Sequence, residues 1–358
     1  MRGRKFDIIT GMKSKMFPFV AGTAVLAVCV LSPCMAQQSA MTGVGPGVRY
    51  ATDAYPGFDS EDEIVNPEKK EPRWFSFLNG PKMGDSKSQL RYCRELIAAD
   101  SCSRACKELD ALVREWPMSP EAPAAQLLLA ETLSEKLGEY EDAFAEYRYL
   151  LDFYSLACDY SAVAEKAYRL ANVLREEGKS VIWFRFDNTV DVRRAYESLV
   201  LRAPGAAFAS EAMLTIGGLR EDEGKYEQAV QVYENLRNLY PDSKEAAAAV
   251  RREADSRMVV LREREYNRSR CKDTAGFLGS ALAMCDGDDV QHIRSLQAEV
   301  LSMLEADAFR SAKFYDSRVR TSRSAISAYE RFLSEYPRGR HADEARKRLE
   351  ELKGDSQK

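Results

Sequence analysis

Histidine is nearly absent, with two residues, His292 and His341, in a chain of 358. No C-x-x-C spacing occurs, so a structural zinc site lacks its usual ligands. There is also no nucleophile elbow, no phosphate-cradling motif and no clustered set of metal ligands. Both histidines sit in polar, helix-like contexts, DDVQHIRSL and RGRHADEA. These gaps argue against an enzyme and against a bound cofactor or metal. An excess of charge of one sign is missing too: the net charge is −4, so no general attraction to nucleic acid follows. Strand-like runs are few, and no apolar run reaches the about 20 residues that a membrane-crossing helix needs. What is present is helix-forming: the chain is rich in Ala, Leu, Glu and Arg.

The positive signal is a register. In KYEQAVQVYENLRNLYPDS, residues 225–243, Ala229, Tyr233, Leu236 and Tyr240 share one helical face, and Pro241 stops the helix. The same five positions recur as Ala105, Leu109, Leu112, Trp116 and Pro117. They recur again as Ala143, Tyr147, Leu150, Tyr154 and Ser155, and more loosely as Val192, Tyr196, Leu199, Ala203 and Pro204. The last copy is Ala325, Tyr329, Phe332, Tyr336 and Pro337. Successive anchors lie 38, 49, 37 and 96 residues apart, which suits stacked helical hairpins with an insertion in the second gap. The last gap has room for a further degenerate repeat or for long helices. The expected fold is an all-α solenoid over 73–355. Its repeat-ending helices fall near 101–117, 139–155, 190–204, 225–241 and 322–337. The small residue at the first position lets a neighbouring helix approach closely.

Gly224, Tyr226, Ala229, Tyr233 and Pro241 resemble the tetratricopeptide repeat residue by residue. That resemblance speaks to fold far more than to function.

Residues 1–36 read as a secretory signal. Arg2, Arg4, Lys5, Lys13 and Lys15 precede a short apolar run, VAGTAVLAVCVL, at 20–31. Two processing sites compete. Cleavage after Ala36 leaves a soluble chain starting at Gln37, whereas LSPC at 31–34 resembles a lipobox that would acylate Cys34, with Pro33 where Gly or Ala is usual. The Ala36 cut is the preferred reading. Residues 37–72, punctuated by Gly45, Pro46, Pro56, Gly57 and Pro67, read as an extended tether.

Three features admit two readings each. Trp74, Phe75 and Phe77 cap the first repeat or dock a partner. Trp183, Phe184, Arg185 and Phe186 interrupt the repeat register and form a partner hot spot or a plug between repeats. Past the signal, Cys93 pairs with Cys102 or Cys106 and Cys271 pairs with Cys285, or all are free buried thiols, as is Cys158.

The signal, the Pro-rich tether and the Tyr-Pro repeat ends together resemble the BamD-type lipoproteins of the outer-membrane β-barrel assembly machinery. The aromatic-Asp insertion before RRAYESLVLRAP and the unit SAISAYERFLSEYPRGRHADEARKRLEEL carry the same resemblance, which covers roughly 100–352 in outline. It implies a non-catalytic periplasmic adaptor, attached to the outer membrane where lipidated. In that family C-terminal repeats hold the barrel-inserting subunit and N-terminal repeats receive unfolded outer-membrane protein segments. The rival expectation is a soluble periplasmic repeat protein that coordinates cell-wall synthesis or envelope constriction. Most of the arginines beyond residue 251 read as solvated helix faces in i,i+4 pairs, with a residual basic face for an acidic partner.

Overall fold

The computed structural model describes residues 55–58, 80–180, 188–318 and 322–355. Among the described residues every regular element is helical. The first hairpin is α1 (Ser86–Ala98) and α2 (Cys102–Glu115). Next come α3 (Ala122–Thr132), which runs into a π-helical turn at Leu133–Leu137, and α4 (Tyr140–Phe153). Then α5 (Tyr160–Ser180) precedes α6 (Asn188–Arg202), and α7 (Ala209–Asp222) pairs with α8 (Tyr226–Leu239). The remainder is α9 (Lys244–Glu263), α10 (Arg268–Ala281), α11 (Asp288–Arg318), α12 (Ser322–Glu335) and α13 (Ala342–Asp355).

The register read from the sequence is the core of this stack. Ala105, Ala143, Ala229 and Ala325 are buried, as are Leu109, Tyr147, Tyr196, Tyr233 and Tyr329 four residues on. Leu112, Leu150, Leu199, Leu236 and Phe332, seven residues on, are buried as well. Two hairpins turn where glycine permits. Gly138 and Gly224 adopt φ of 67° and 71°, a left-handed conformation that side chains with a Cβ resist, and α4 and α8 begin two residues later. Asp85 caps α1 by accepting from Ser88 N at 2.9 Å, and Asn267 caps α10 by accepting from Arg270 N at 3.1 Å.

Why helices stop at an aromatic–proline pair is answered by the joint between repeats. The aromatic is the C-cap: Trp116, Tyr154 and Tyr240 each donate a backbone N–H to the carbonyl four residues back. The ring is then free to leave the helix. The Tyr154 hydroxyl donates to the Pro117 carbonyl at 2.9 Å, and the Tyr240 hydroxyl donates to the Pro204 carbonyl at 2.6 Å. These two repeat ends are thus fastened to the end of the preceding repeat. Pro241 and Pro337 are exposed, so their part is to stop the helix and not to fill the core.

Three apolar cores follow in series. The first runs from α1 to Ala249 at the start of α9. The second joins Val250, Ala254 and Met258 of α9 to Cys271 and Leu278 of α10 and to Ile293, Leu296 and Val300 of α11. The third joins Phe309 and Ala312 of α11 to Tyr329 and Phe332 of α12 and to Ala345 and Leu352 of α13. The wide last gap in the register therefore holds both expected contents. It contains an extra helical unit, α9–α10, and a long helix: α11 has 31 residues and serves two cores.

Candidate partner-binding surfaces

The residues that hold successive repeats at a fixed pitch are charged and buried. Arg193 of α6 donates to Glu197 Oε1 at 2.6 Å and to Glu223 Oε1 at 2.7 Å. Arg220, at the end of α7, reaches the same Glu197 oxygen at 3.2 Å, and Lys225 closes on Glu223 at 3.0 Å. Side-chain exposure is 1 % for Arg193 and 0 % for Glu197 and Arg220. Burial pushes the Glu223 carboxyl up, but Arg193 and Lys225 outweigh it and hold it below the usual carboxylate range. One joint upstream, Arg202 grips Asp152 of α4 through two parallel bonds of 2.7 and 2.9 Å. These bonds tie α6 to α4 on one side and to the end of α7 on the other.

The first two hairpins use another device. Gln89 of α1 donates to the Glu108 carboxylate at 2.9 Å, and Gln126 of α3 donates to the Glu146 carboxylate at 2.6 Å. Glu108 and Glu146 each lie three residues after a register alanine. The same position in α8 is the fully buried Val232, so there the pair is replaced by apolar contact.

Two concavities stand out. One, of about 620 Å³, is lined by Glu221, Asp222, Tyr226, Arg251, Arg252, Asp255 and Asp289 among others. Its charges are already committed to one another: Arg252 meets Glu221 at 3.0 Å, Arg251 meets Asp289 at 2.7 Å, and Asp255 meets His292 at 2.6 Å. The second, of about 540 Å³, is lined by Tyr315 at the end of α11 and by Arg323, Ser324, Ser327, Ala328 and Arg331 of α12. Beside it Phe314 is 57 % exposed and Tyr315 is 38 % exposed, their rings edge-on at 5.9 Å. Aromatic rings with arginine around a hollow are the composition of an interface hot spot. Phe314 and Tyr315 escaped the sequence reading. Their signal is adjacency: neighbours on a helix point about 100° apart, so a helix that buries Ala312 on one stripe leaves this pair largely outside it.

The residues first singled out for partner binding, Trp74, Phe75, Trp183, Phe184, Arg185 and Phe186, lie outside the described residues, as does Cys34. In the structure none of the six cysteines past the signal is joined in a disulfide. Cys271 sits near the start of α10 and Cys285 beyond its end. Ten helical residues alone separate such groups by about 15 Å, against the roughly 7 Å limit between bridged Cα atoms. Cys93 and Cys106 do neighbour each other, but as core residues. Burial first, then Glu108 and Cys106, push the Cys93 thiol up to about 12. The arginine-rich C-terminal region is largely a lattice of ion pairs. Arg262 meets Glu299 at 2.7 Å, Arg257 meets Glu253 at 2.7 Å and Arg348 meets Asp316 at 2.8 Å. Arg323 and Arg331, which line the second hollow, belong to the basic face that remains.

Comparison with known proteins agrees with this architecture. Residues 211–243, which cover α7 and α8, match the family described as tetratricopeptide repeat. Such repeats mediate protein–protein interaction, so the solenoid fits a non-catalytic interaction scaffold. The chain matches no curated protein sequence. Among solved structures it is similar to a tetratricopeptide repeat protein from Parabacteroides merdae, at 14 % identity over 75 % of this chain and 93 % of that one, TM-score 0.28. It is also similar to a MamA fragment from Desulfovibrio magneticus, at 16 % identity over 56 % of this chain and 96 % of that one, TM-score 0.26. Neither carries a function or a site onto this chain.

Proposed function

We propose that this chain is an exported adaptor of the outer-membrane β-barrel assembly kind, which docks a partner subunit on its C-terminal repeats. The observation that carries the docking surface is the Phe314–Tyr315 pair beside Arg323 and Arg331. A partner that presents a carboxylate next to an apolar side chain would satisfy both the guanidinium groups and the rings. The signal-like N-terminus and the resemblance to BamD-type lipoproteins support the location and the class of partner. Capture of unfolded outer-membrane protein segments by the N-terminal repeats belongs to the same proposal.

The test is a cross-linked pull-down from native envelope, with the mature N-terminus read by mass spectrometry. Recovery of a barrel-assembly subunit is the expected result, and an acylated Cys34 beside it would add attachment to the membrane. Gln37 at the N-terminus, with cell-wall or constriction proteins co-purifying, would overturn the assignment in favour of a soluble periplasmic scaffold.

A further inference from the structure

Four residues from the segment read as a tether sit on the solenoid. Tyr55, Pro56, Gly57 and Phe58 form a turn closed by the Phe58 N–H donating to the Tyr55 carbonyl at 3.1 Å. Proline at the second position and glycine with φ of 94° at the third are the pattern of a type II turn. The rings of Tyr55 and Phe58 stack at 5.2 Å with 19° between their planes, and both pack against the first core.

The seat is built from groups far away in sequence. Arg220 Nη2 donates to the Gly57 carbonyl at 2.5 Å, across 163 residues. Asn235 Nδ2 donates to the Pro56 carbonyl at 3.1 Å, across 179 residues. Gly57 itself lies flat on α8: a Cβ there would come within 2.9 Å of the Gln228 carbonyl oxygen and 3.1 Å of Val232 Cγ2. The two backbone carbonyls and the left-handed glycine are thus each matched by a separate feature of α7 and α8, and the paired rings by the first core. Arg220 is fully buried, its guanidinium bonded to Glu197 and directed at that carbonyl. A fully buried charged group is costly unless bonded, so its aim at a remote backbone oxygen marks a recognition contact.

We infer that the α7–α8 face is a binding site for an aromatic-Pro-Gly-aromatic type II turn, and that Tyr55–Phe58 of this same chain is its ligand. The occupied site clamps the N-terminal region onto the fourth hairpin. A foreign turn of the same chemistry enters only when the clamp is released.

The test uses the full chain with Gly57→Ala, which lies outside every helix and leaves the stack intact. Chymotrypsin cleavage at Phe58–Asp59 reads release, and a labelled synthetic peptide spanning residues 50–61 reads the emptied site. Asn235→Ala is the second variant, since it removes one carbonyl donor from an exposed part of α8. The expected result is cleavage about tenfold faster in Gly57→Ala, an intermediate rate in Asn235→Ala, and saturable peptide binding to Gly57→Ala about tenfold tighter than to the wild-type chain. Equal cleavage of wild type and Gly57→Ala would overturn the inference. So would failure of the peptide to bind a Gly57→Ala chain whose helical unfolding transition is unchanged. Protection of Phe58–Asp59 that rises with protein concentration would place the turn of a second copy in the site and overturn the intramolecular assignment.

Discussion

Replacing Arg193 by Met lowers the stability of the middle of the solenoid by about 3–5 kcal/mol, the cost of leaving a buried carboxylate without a main partner. Glu197 has no exposed surface and Arg193 is its closest cation, at 2.6 Å. Without Arg193, Glu197 loses its 2.6 Å bond and Glu223 its 2.7 Å bond. Water cannot replace these bonds without opening the joint between α6 and α7. Urea unfolding followed by circular dichroism measures the loss. A surface comparison calibrates it: Lys313 and Glu344 pair at 2.9 Å with more than half of each side chain exposed, so Lys313→Met changes stability by less than about 1 kcal/mol. The double variant Arg193→Met, Glu197→Met costs less than the sum of its single substitutions, because the two residues share one network.

Gly217→Ala destabilises the chain by about 1–3 kcal/mol, against the usual benefit of alanine in a helix. A Cβ at position 217 would lie 2.2 Å from Tyr233 Cε1 and 2.5 Å from its Cζ. The ring has nowhere to go. Tyr233 is fully buried, and its hydroxyl accepts from Arg252 Nη1 at 3.4 Å. The reverse sign is expected at Gly276 inside α10, where no atom lies within 4 Å of an added Cβ. There alanine stabilises by about 0.5–1 kcal/mol through backbone entropy alone. Thermal unfolding of the two variants, side by side, checks both signs.

The contrast between these glycines shows where the sequence could be read and where it could not. Ala229, Tyr233 and Leu236 were legible because burial on one helical face imposes a period, and close approach imposes a small residue. The helices Cys102–Glu115, Tyr140–Phe153, Asn188–Arg202, Tyr226–Leu239 and Ser322–Glu335 each carry one copy of that register. Gly217 was not legible, because a helical glycine and a glycine that receives a ring look alike until the neighbouring helix is placed. Arg193 and Glu197 looked like an ordinary i,i+4 surface pair. Their burial depends on Arg220 and Glu223, which arrive from the next hairpin. The tyrosine joints were half legible: Tyr-Pro signalled a stop, but the carbonyl that receives each hydroxyl lies 36 or 37 residues upstream. At Tyr55–Phe58, proline and glycine read as punctuation of a tether. The flanking aromatics carried the missing signal, since two rings beside a Pro-Gly turn are costly to leave in water.

Phe314 and Tyr315 were not legible for a related reason: they lie inside an unbroken helix and break no repeat. What distinguishes them is exposure, 57 % and 38 %, which depends on where α12 and α13 pack.

The most direct test of the adaptor reading compares envelope capture by the wild-type chain with capture by a Phe314→Ala, Arg331→Glu variant. Both positions are exposed, so the helical unfolding transition stays where it is. The account predicts that recovery of the cross-linked partner falls about tenfold or more, as for loss of an interface hot spot. Undiminished capture by a variant with an unchanged unfolding transition would contradict it.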